Sequence, residues 1–179
     1  MMRSSDLQSE ENFNEYLRLL QDEDYVDVTY DEKSGGVSAV HKSHRLDKTQ
    51  GPNGEKRGNY ELKTAETLRC NGHSIVLVQE SDRVGVKQYD GLLDGIPCEI
   101  KSVERVGRWT IRTKIANAIR QGAQTVVLFF PAASLFSEQR VKDGWKDCMS
   151  YAKPADPVPE IKLLCVVDGT IRNIEKPSW

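Results

Sequence analysis

The segment Tyr89-Asp90-Gly91-Leu92-Leu93-Asp94-Gly95-Ile96-Pro97-Cys98-Glu99-Ile100-Lys101 decides how the rest of the chain is read. Two short runs flank Asp94-Gly95, a dipeptide suited to the positive φ angles of a two-residue hairpin turn. The pattern predicts strands over 86–93 and 96–103. Side chains alternate along a strand, so Glu99 and Lys101 share one face and Cys98 and Ile100 the other. The hairpin returns the chain so that Asp90 approaches Glu99. Two carboxylates and an ammonium then converge on one edge of an otherwise apolar sheet. Carboxylate oxygens are hard ligands that match Mg²⁺ or Mn²⁺. A metal held there by Asp90 and Glu99 would lower the pKa of a bound water and neutralise charge on a phosphodiester. Lys101 would position the water or stabilise the charge developing in the transition state.

Working outward, residues 60–71 read as a helix closed by Gly72, with Glu61 in its first turn as a candidate third carboxylate. Residues 74–78 form a short apolar run typical of a strand buried on both faces. Ile111, Ile115, Ala118 and Ile119 mark one stripe of a helix over 109–121, ended by Gly122. Gln121 and Gln124 follow as candidates to orient water or substrate. Residues 125–130 are a final core strand stopped by Pro131. From 60 to 130 the order is helix, strand, strand, strand, helix, strand. That order predicts an α/β (α+β) fold with a mixed central sheet and flanking helices.

Ahead of this core, Phe13, Tyr16, Leu17 and Leu20 predict an amphipathic helix over 6–21. Alternation over 25–30 and 37–40 about a Gly-rich turn predicts a hairpin. Beyond the core come a helix over 134–151, a linker with Pro154, Pro157 and Pro159, and a hairpin of strands 161–167 and 170–174. The expected division is an acidic helix over 1–24 and one domain over 25–179.

The whole is 179 residues with 29% charged and 38% hydrophobic residues, which excludes wholesale disorder, collagen-like repeats and coiled coil. No apolar run approaches the ~20 residues of a membrane-spanning helix, so no membrane partner is expected. The first residues lack the apolar core of a secretory signal, and the expected compartment is the cytoplasm. Cys70, Cys98, Cys148 and Cys165 are too widely spaced for a zinc finger or a disulfide framework.

The net charge of −2 hides an asymmetry: residues 1–33 carry ten acids and three bases, a net of −7, leaving +5 on the rest. A basic body favours phosphate-bearing partners. The acidic segment is either a self-mask over a basic site, a docking surface for an immunity or virion protein, or a solvated face. Residues 42–58 hold Lys42, His44, Arg45, Lys48, Lys56 and Arg57 against Asp47 and Glu55, and their turn formers predict a mobile loop. From Lys101 to Arg120 there are six bases against Glu104 alone. Arg108, Arg112 and Lys114 surround a helix start, where free N–H groups attract phosphate. Trp109 is either a platform for a base or a core anchor. Arg108, Arg112, Lys114, Trp109 and Gln121 are therefore the candidate substrate contacts.

Glu-x-Lys alone carries little information, and the chain holds its own control. Glu160-Ile161-Lys162 repeats the tripeptide behind the proline-rich linker without an upstream strand-turn carboxylate, and it reads as structural. No Walker A, Gly-x-Gly-x-x-Gly or Gly-x-Ser-x-Gly pattern is present in the sequence.

Asp90, Glu99-Ile100-Lys101, the helix with Glu61 and the ensuing helix and strand resemble the PD-(D/E)xK nuclease superfamily over 60–130. That resemblance implies metal-dependent phosphodiester hydrolysis, with Asp90 and Glu99 as ligands and Lys101 as the catalytic lysine. Tyr89 stands where the pattern loosely carries proline. Residues 35–47, 59–61, 71–77 and 126–131 are similar to the nuclease-like tails of phage Mu gpF-type head morphogenesis proteins. They also look like C-terminal domains of contact-dependent inhibition (CdiA-type) toxins, many of which cut tRNA. This second resemblance implies a toxin or effector nuclease of phage or mobile-element origin, with RNA the first substrate and DNA its rival. Some such tails have the barnase–EndoU–colicin–RelE-like fold and cleave RNA without metal. In that case His41 or His44, read as exposed and titrating near neutrality, would act with Glu61, Glu99 and Lys101. A third reading is a non-catalytic phage-associated binding module.

Overall fold

The computed structural model describes residues 4–80, 88–152, 154, 157 and 159–178. Eight strands form one mixed sheet in sequential order: β1 (Tyr25–Asp31), β2 (Gly36–His41), β3 (Ser74–Leu77), β4 (Gly91–Leu93), β5 (Ile96–Ser102), β6 (Thr125–Phe130), β7 (Lys162–Val167) and β8 (Thr170–Ile174). Hairpins make the β1–β2, β4–β5 and β7–β8 pairs antiparallel, as is β3–β4. The parallel pairs β2–β3, β5–β6 and β6–β7 are bridged by helices α2 (Arg57–Cys70), α3 (Arg108–Arg120) and α4 (Glu138–Asp147). The stretch over 60–130 thus runs helix, strand, strand, strand, helix, strand, and the α/β expectation holds.

The pleat sorts the core into layers. Val126, Leu128 and Phe130 of β6 pack with Leu163 and Cys165 of β7 under Ile111, Ile115 and Ile119 of α3 and Trp145 of α4. The opposite face holds Ile75, Leu77, Cys98, Ile100 and Val127 against Ala65 and Leu68 of α2. Helix α1 (Ser4–Leu20) covers Val37, Ala39 and Val76 on the first face. Gly144 inside α4 would weaken an isolated helix. Here it is needed, because a Cβ would stand 2.7 Å from Ile111 Cγ2 and 2.8 Å from the Arg108 carbonyl oxygen. The glycine lets α4 lie directly on α3.

Several expectations are corrected. The helix over 134–151 divides into a 3-10 turn (Ala133–Leu135), α4 and a π turn (Cys148–Ala152). The break falls at Ser137, whose side chain caps α4 by accepting from the Arg140 N–H. The strand over 86–93 pairs over Gly91–Leu93 alone, and its residues 86–87 lie outside the described residues. Helix α2 starts at Arg57, which puts Glu61 in its second turn rather than its first.

The amphipathic stripe of α1 is also displaced. Phe13, Leu17 and Leu20 are exposed, while Leu19 and Asn12 are buried. The Asn12 amide donates to the carbonyls of Gly35 and Gly72, both at 2.9 Å. These two bonds tie α1 to the β1–β2 turn and to the turn between α2 and β3. The loop over 42–58 is pinned rather than free. Residues 50 and 56 form a bridge, the Gly58 N–H donates to the Asp47 carbonyl at 2.8 Å, and the Tyr60 hydroxyl donates to Asn53 at 2.6 Å.

Candidate active site

The site grows from the β4–β5 hairpin. Gly91 faces Cys98 across the ladder, so Asp90 falls opposite Glu99. Gly91 is required at that point, since a Cβ would sit 2.6 Å from the Val76 carbonyl oxygen. The tight β3–β4 contact it allows brings Asp90 to the end of β3, where the Val78 N–H donates to its carbonyl at 3.0 Å. The two acids then hold each other through the backbone. The Asp90 N–H donates to Glu99 Oε2 at 3.0 Å, and the Ile100 N–H donates to Asp90 Oδ2 at 2.8 Å. Lys101 Nζ closes on Glu99 Oε1 as an ion pair. Glu99 is fully buried, and Lys101 keeps 22% of its side chain exposed.

Glu61 enters from α2. Its Oε1 lies 2.5 Å from His44 Nε2, while His44 Nδ1 lies 2.8 Å from the Val78 carbonyl. Both ring nitrogens face oxygens, an arrangement that favours the doubly protonated ring. Burial opposes that charge, but the Glu61 hydrogen bond and charge overcome it and raise the His44 pKa to about 9. The expectation of an exposed histidine titrating near neutrality is corrected: the His44 side chain is buried and its pKa is raised. Held at both nitrogens, it clamps Glu61. His41 is buried too, edge-on to Tyr25, and its Nδ1 accepts from the Ser43 N–H. His73 pairs with Asp94 at the hairpin turn, a boundary role as expected.

These groups open into a cleft of about 280 Å³ lined by Asp90, Ile100, Lys101, Ser102, Glu61, Tyr60 and Lys114, with Arg45, Asp47, Arg57 and Glu80 at its walls. Its electrostatics follow from crowded acids. Burial, then the charges of Glu99 and Glu61, raise the Asp90 pKa to about 7. Burial also raises Glu99, against the pull of Lys101. Lys114 is lowered by burial and by Lys101. Arg57 donates to both Glu104 oxygens, at 2.7 and 2.8 Å, and holds that carboxyl below its ordinary range.

Among the described residues no group of three or more His, Cys, Asp or Glu side chains is arranged to hold a metal unaided. The Asp90–Glu99 pair fits an ion of another kind. Mg²⁺ keeps several waters and takes one or two carboxylates, a donor set that Asp90 and Glu99 could offer beside the Lys101 ammonium already paired with Glu99.

Of the substrate candidates, Lys114 lines the cleft. Arg108, Trp109 and Arg112 lie further up α3 at its N-terminal turns and outside the cleft lining among the described residues. Gln121 caps the opposite end of α3, and Gln124 donates its N–H to the Pro97 carbonyl at the start of β5, so neither reaches the cleft. No described residue of α1 lines it either. Arg45, Asp47, Arg57 and Glu80 were missed as cleft residues. The basic loop was the one signal for the first three, and nothing in the sequence marks Glu80.

No family model matches the chain, and no curated protein matches it. Among solved structures it is similar to a chain of a CdiA-CT/CdiI toxin and immunity complex from Burkholderia pseudomallei. The two share 22% identity and a TM-score of 0.47, over 78% of this chain and 99% of that one. At that level the likeness assigns neither a role nor a partner. No described helix is long and apolar enough to cross a membrane.

Proposed function

We propose that this protein is a metal-dependent nuclease that hydrolyses phosphodiester bonds in the cleft at the end of β5. The observation that supports this most is the Asp90–Glu99 pair, held by reciprocal backbone hydrogen bonds with Lys101 beside it. Asp90 and Glu99 would hold Mg²⁺ or Mn²⁺, which supplies charge neutralisation and a water of lowered pKa. Lys101, paired with Glu99, lines the cleft, where its ammonium would orient the attacking water and meet charge on the phosphoryl oxygens. Lys114 and Arg45 line the same cleft and attract the backbone phosphates. Glu61, fixed by His44, lies at the cleft wall, placed to accept a hydrogen bond from water rather than to swing with solvent.

RNA, with tRNA as one form, is the first substrate and DNA the rival. This choice, the role as a toxin or effector and an immunity protein as partner rest on the sequence resemblance. In the metal-free alternative His44 is held at both nitrogens, which leaves His41, Glu61 or Glu99 to act as the base. Purified protein incubated with total RNA and with plasmid DNA, in Mg²⁺, Mn²⁺ or EDTA, tests the proposal. Cleavage that EDTA abolishes is the expected result. Cleavage that survives EDTA, or none in any buffer, overturns it.

A further inference from the structure

Trp109 is 55% exposed at the start of α3, whereas Trp145 is 2% exposed in the core. Val106, just before the helix, is 60% exposed. The Arg112 guanidinium sits 4.3 Å from the Trp109 ring centroid and that of Arg108 5.4 Å. Arg108 is held from behind by an ion pair with Asp147 at 3.1 Å. Among the described residues the indole is absent from the buried core, and its ring contacts are the two guanidinium groups.

We infer that Trp109 and Arg112 form a stacking platform for an unpaired nucleotide, so that the strand entering the cleft is single-stranded where it crosses α3. The inference rests on the nuclease reading and adds the substrate class to it. Every base has a π face, and an aromatic ring stacks on it without regard to sequence. The Arg112 guanidinium lies over the ring and offers its own plane for a base to stack on, while its charge meets the strand's phosphates. Bases inside a duplex are stacked on one another and cannot reach such a platform. The charge also fits: residues 101–120 carry six bases against Glu104, and Glu104 is taken up by Arg57. Lys114, five residues after Trp109, is ~7.5 Å further along the helix axis and lines the cleft. Lys114 also lies ~140° around the helix from Trp109, so a strand with one base on Trp109 crosses the outer face of α3 before its phosphates meet Lys114 at the cleft.

The test is binding of a fluorescein-labelled 12-nucleotide strand, as RNA and as DNA, and of the matching duplexes. It is read by anisotropy in EDTA, so that no cleavage occurs. The inference expects either single strand to bind at least about tenfold tighter than its duplex. Trp109→Ala removes that margin, and Trp109→Phe keeps most of it. Equal binding of strand and duplex by the wild type, or a Trp109→Ala variant that binds the strand as the wild type does, overturns it. The exposed position makes misfolding of the variant improbable on physical grounds, and circular dichroism checks it. Because binding is read without metal, loss of the platform with cleavage intact sinks this inference alone. Binding as expected with no cleavage in Mg²⁺ sinks the nuclease reading instead.

Discussion

The chain contains the tripeptide Glu-Ile-Lys twice, and the fold treats the two copies in opposite ways. Glu99 is fully buried and paired with Lys101, which lines the cleft. Glu160, just ahead of β7, keeps 85% of its side chain exposed, 3.6 Å from Lys176, and Lys162 is exposed as well. In each copy the isoleucine is the part that packs, Ile100 against the α2 layer and Ile161 against the α3 layer. The difference lies in what stands beside the acid. Glu99 sits within a strand, between Asp90 on one neighbour and Val126 on the other. Glu160 precedes its strand and faces water. Burying a carboxylate is costly unless something else gains by it, so burial of an acid beside a second acid marks a site. An exposed copy marks a surface.

The largest effect to be expected separates the copies directly. Glu99→Gln and Asp90→Asn each lower the cleavage rate by about a thousandfold or more, while Glu160→Gln leaves it unchanged, as read by single-turnover cleavage in Mg²⁺. Lys101→Ala lowers the rate by about a hundredfold or more and Lys162→Ala does nothing. A comparable loss at Glu160 or Lys162 would break the comparison.

Stability sharpens it with the opposite sign. The Asp90 carboxyl is raised to about 7 in the folded chain, so it favours the fold fully below its ordinary value near 3.8. That favour is lost as pH rises through about 7. Metal-free Asp90→Asn should therefore melt a few degrees higher than the wild type at pH 8, by roughly 3–6 °C, and no higher at pH 4. Saturating Mg²⁺ should raise the Tm of the wild type and not of the variant.

His44 gives a third contrast. Its pKa is raised to about 9, so its contribution is complete below about 6.5 and disappears as pH rises through 9. His44→Gln should cost about 2 kcal/mol at pH 6, from leaving part-buried Glu61 without its cation, and much less at pH 10. Equal costs at both pH values would show that the imidazole is neutral in the fold. The smallest effect is expected in the second copy, where Glu160→Gln shifts stability by less than about 0.5 kcal/mol.

Much of this was legible before any coordinates. The Asp94-Gly95 and Asp168-Gly169 turns, the glycines after α2 and α3, and the runs at 74–77 and 125–130 announce local conformations that depend on nearby residues alone. Both aspartates and both glycines in those turns do take positive φ, as do Gly72 and Gly122. Strand alternation put Asp90, Glu99 and Lys101 together for the same reason.

What the sequence hid depends on partners far along the chain. His44 is a loop histidine until Glu61 and the Val78 carbonyl, 17 and 34 residues away, close on its two nitrogens. The basic loop reads as mobile until the Arg57–Glu104 pair, 47 residues apart, ties it to the end of β5. In α1 the apolar stripe misled, because the buried face is set by Asn12 satisfying two distant carbonyls and by Leu19. Gln121 was assigned by closeness in sequence to the core helix, but a helix of 13 residues carries its two ends ~20 Å apart.

The most direct measurement of the central claim is cleavage of RNA and plasmid DNA by three proteins side by side, the wild type, Glu99→Gln and Glu160→Gln, each with Mg²⁺ and with EDTA. The account predicts cutting by the wild type and by Glu160→Gln in Mg²⁺ alone, with Glu99→Gln folded and silent. Cutting by Glu99→Gln at the wild-type rate, or cutting by any of the three in EDTA, would contradict it.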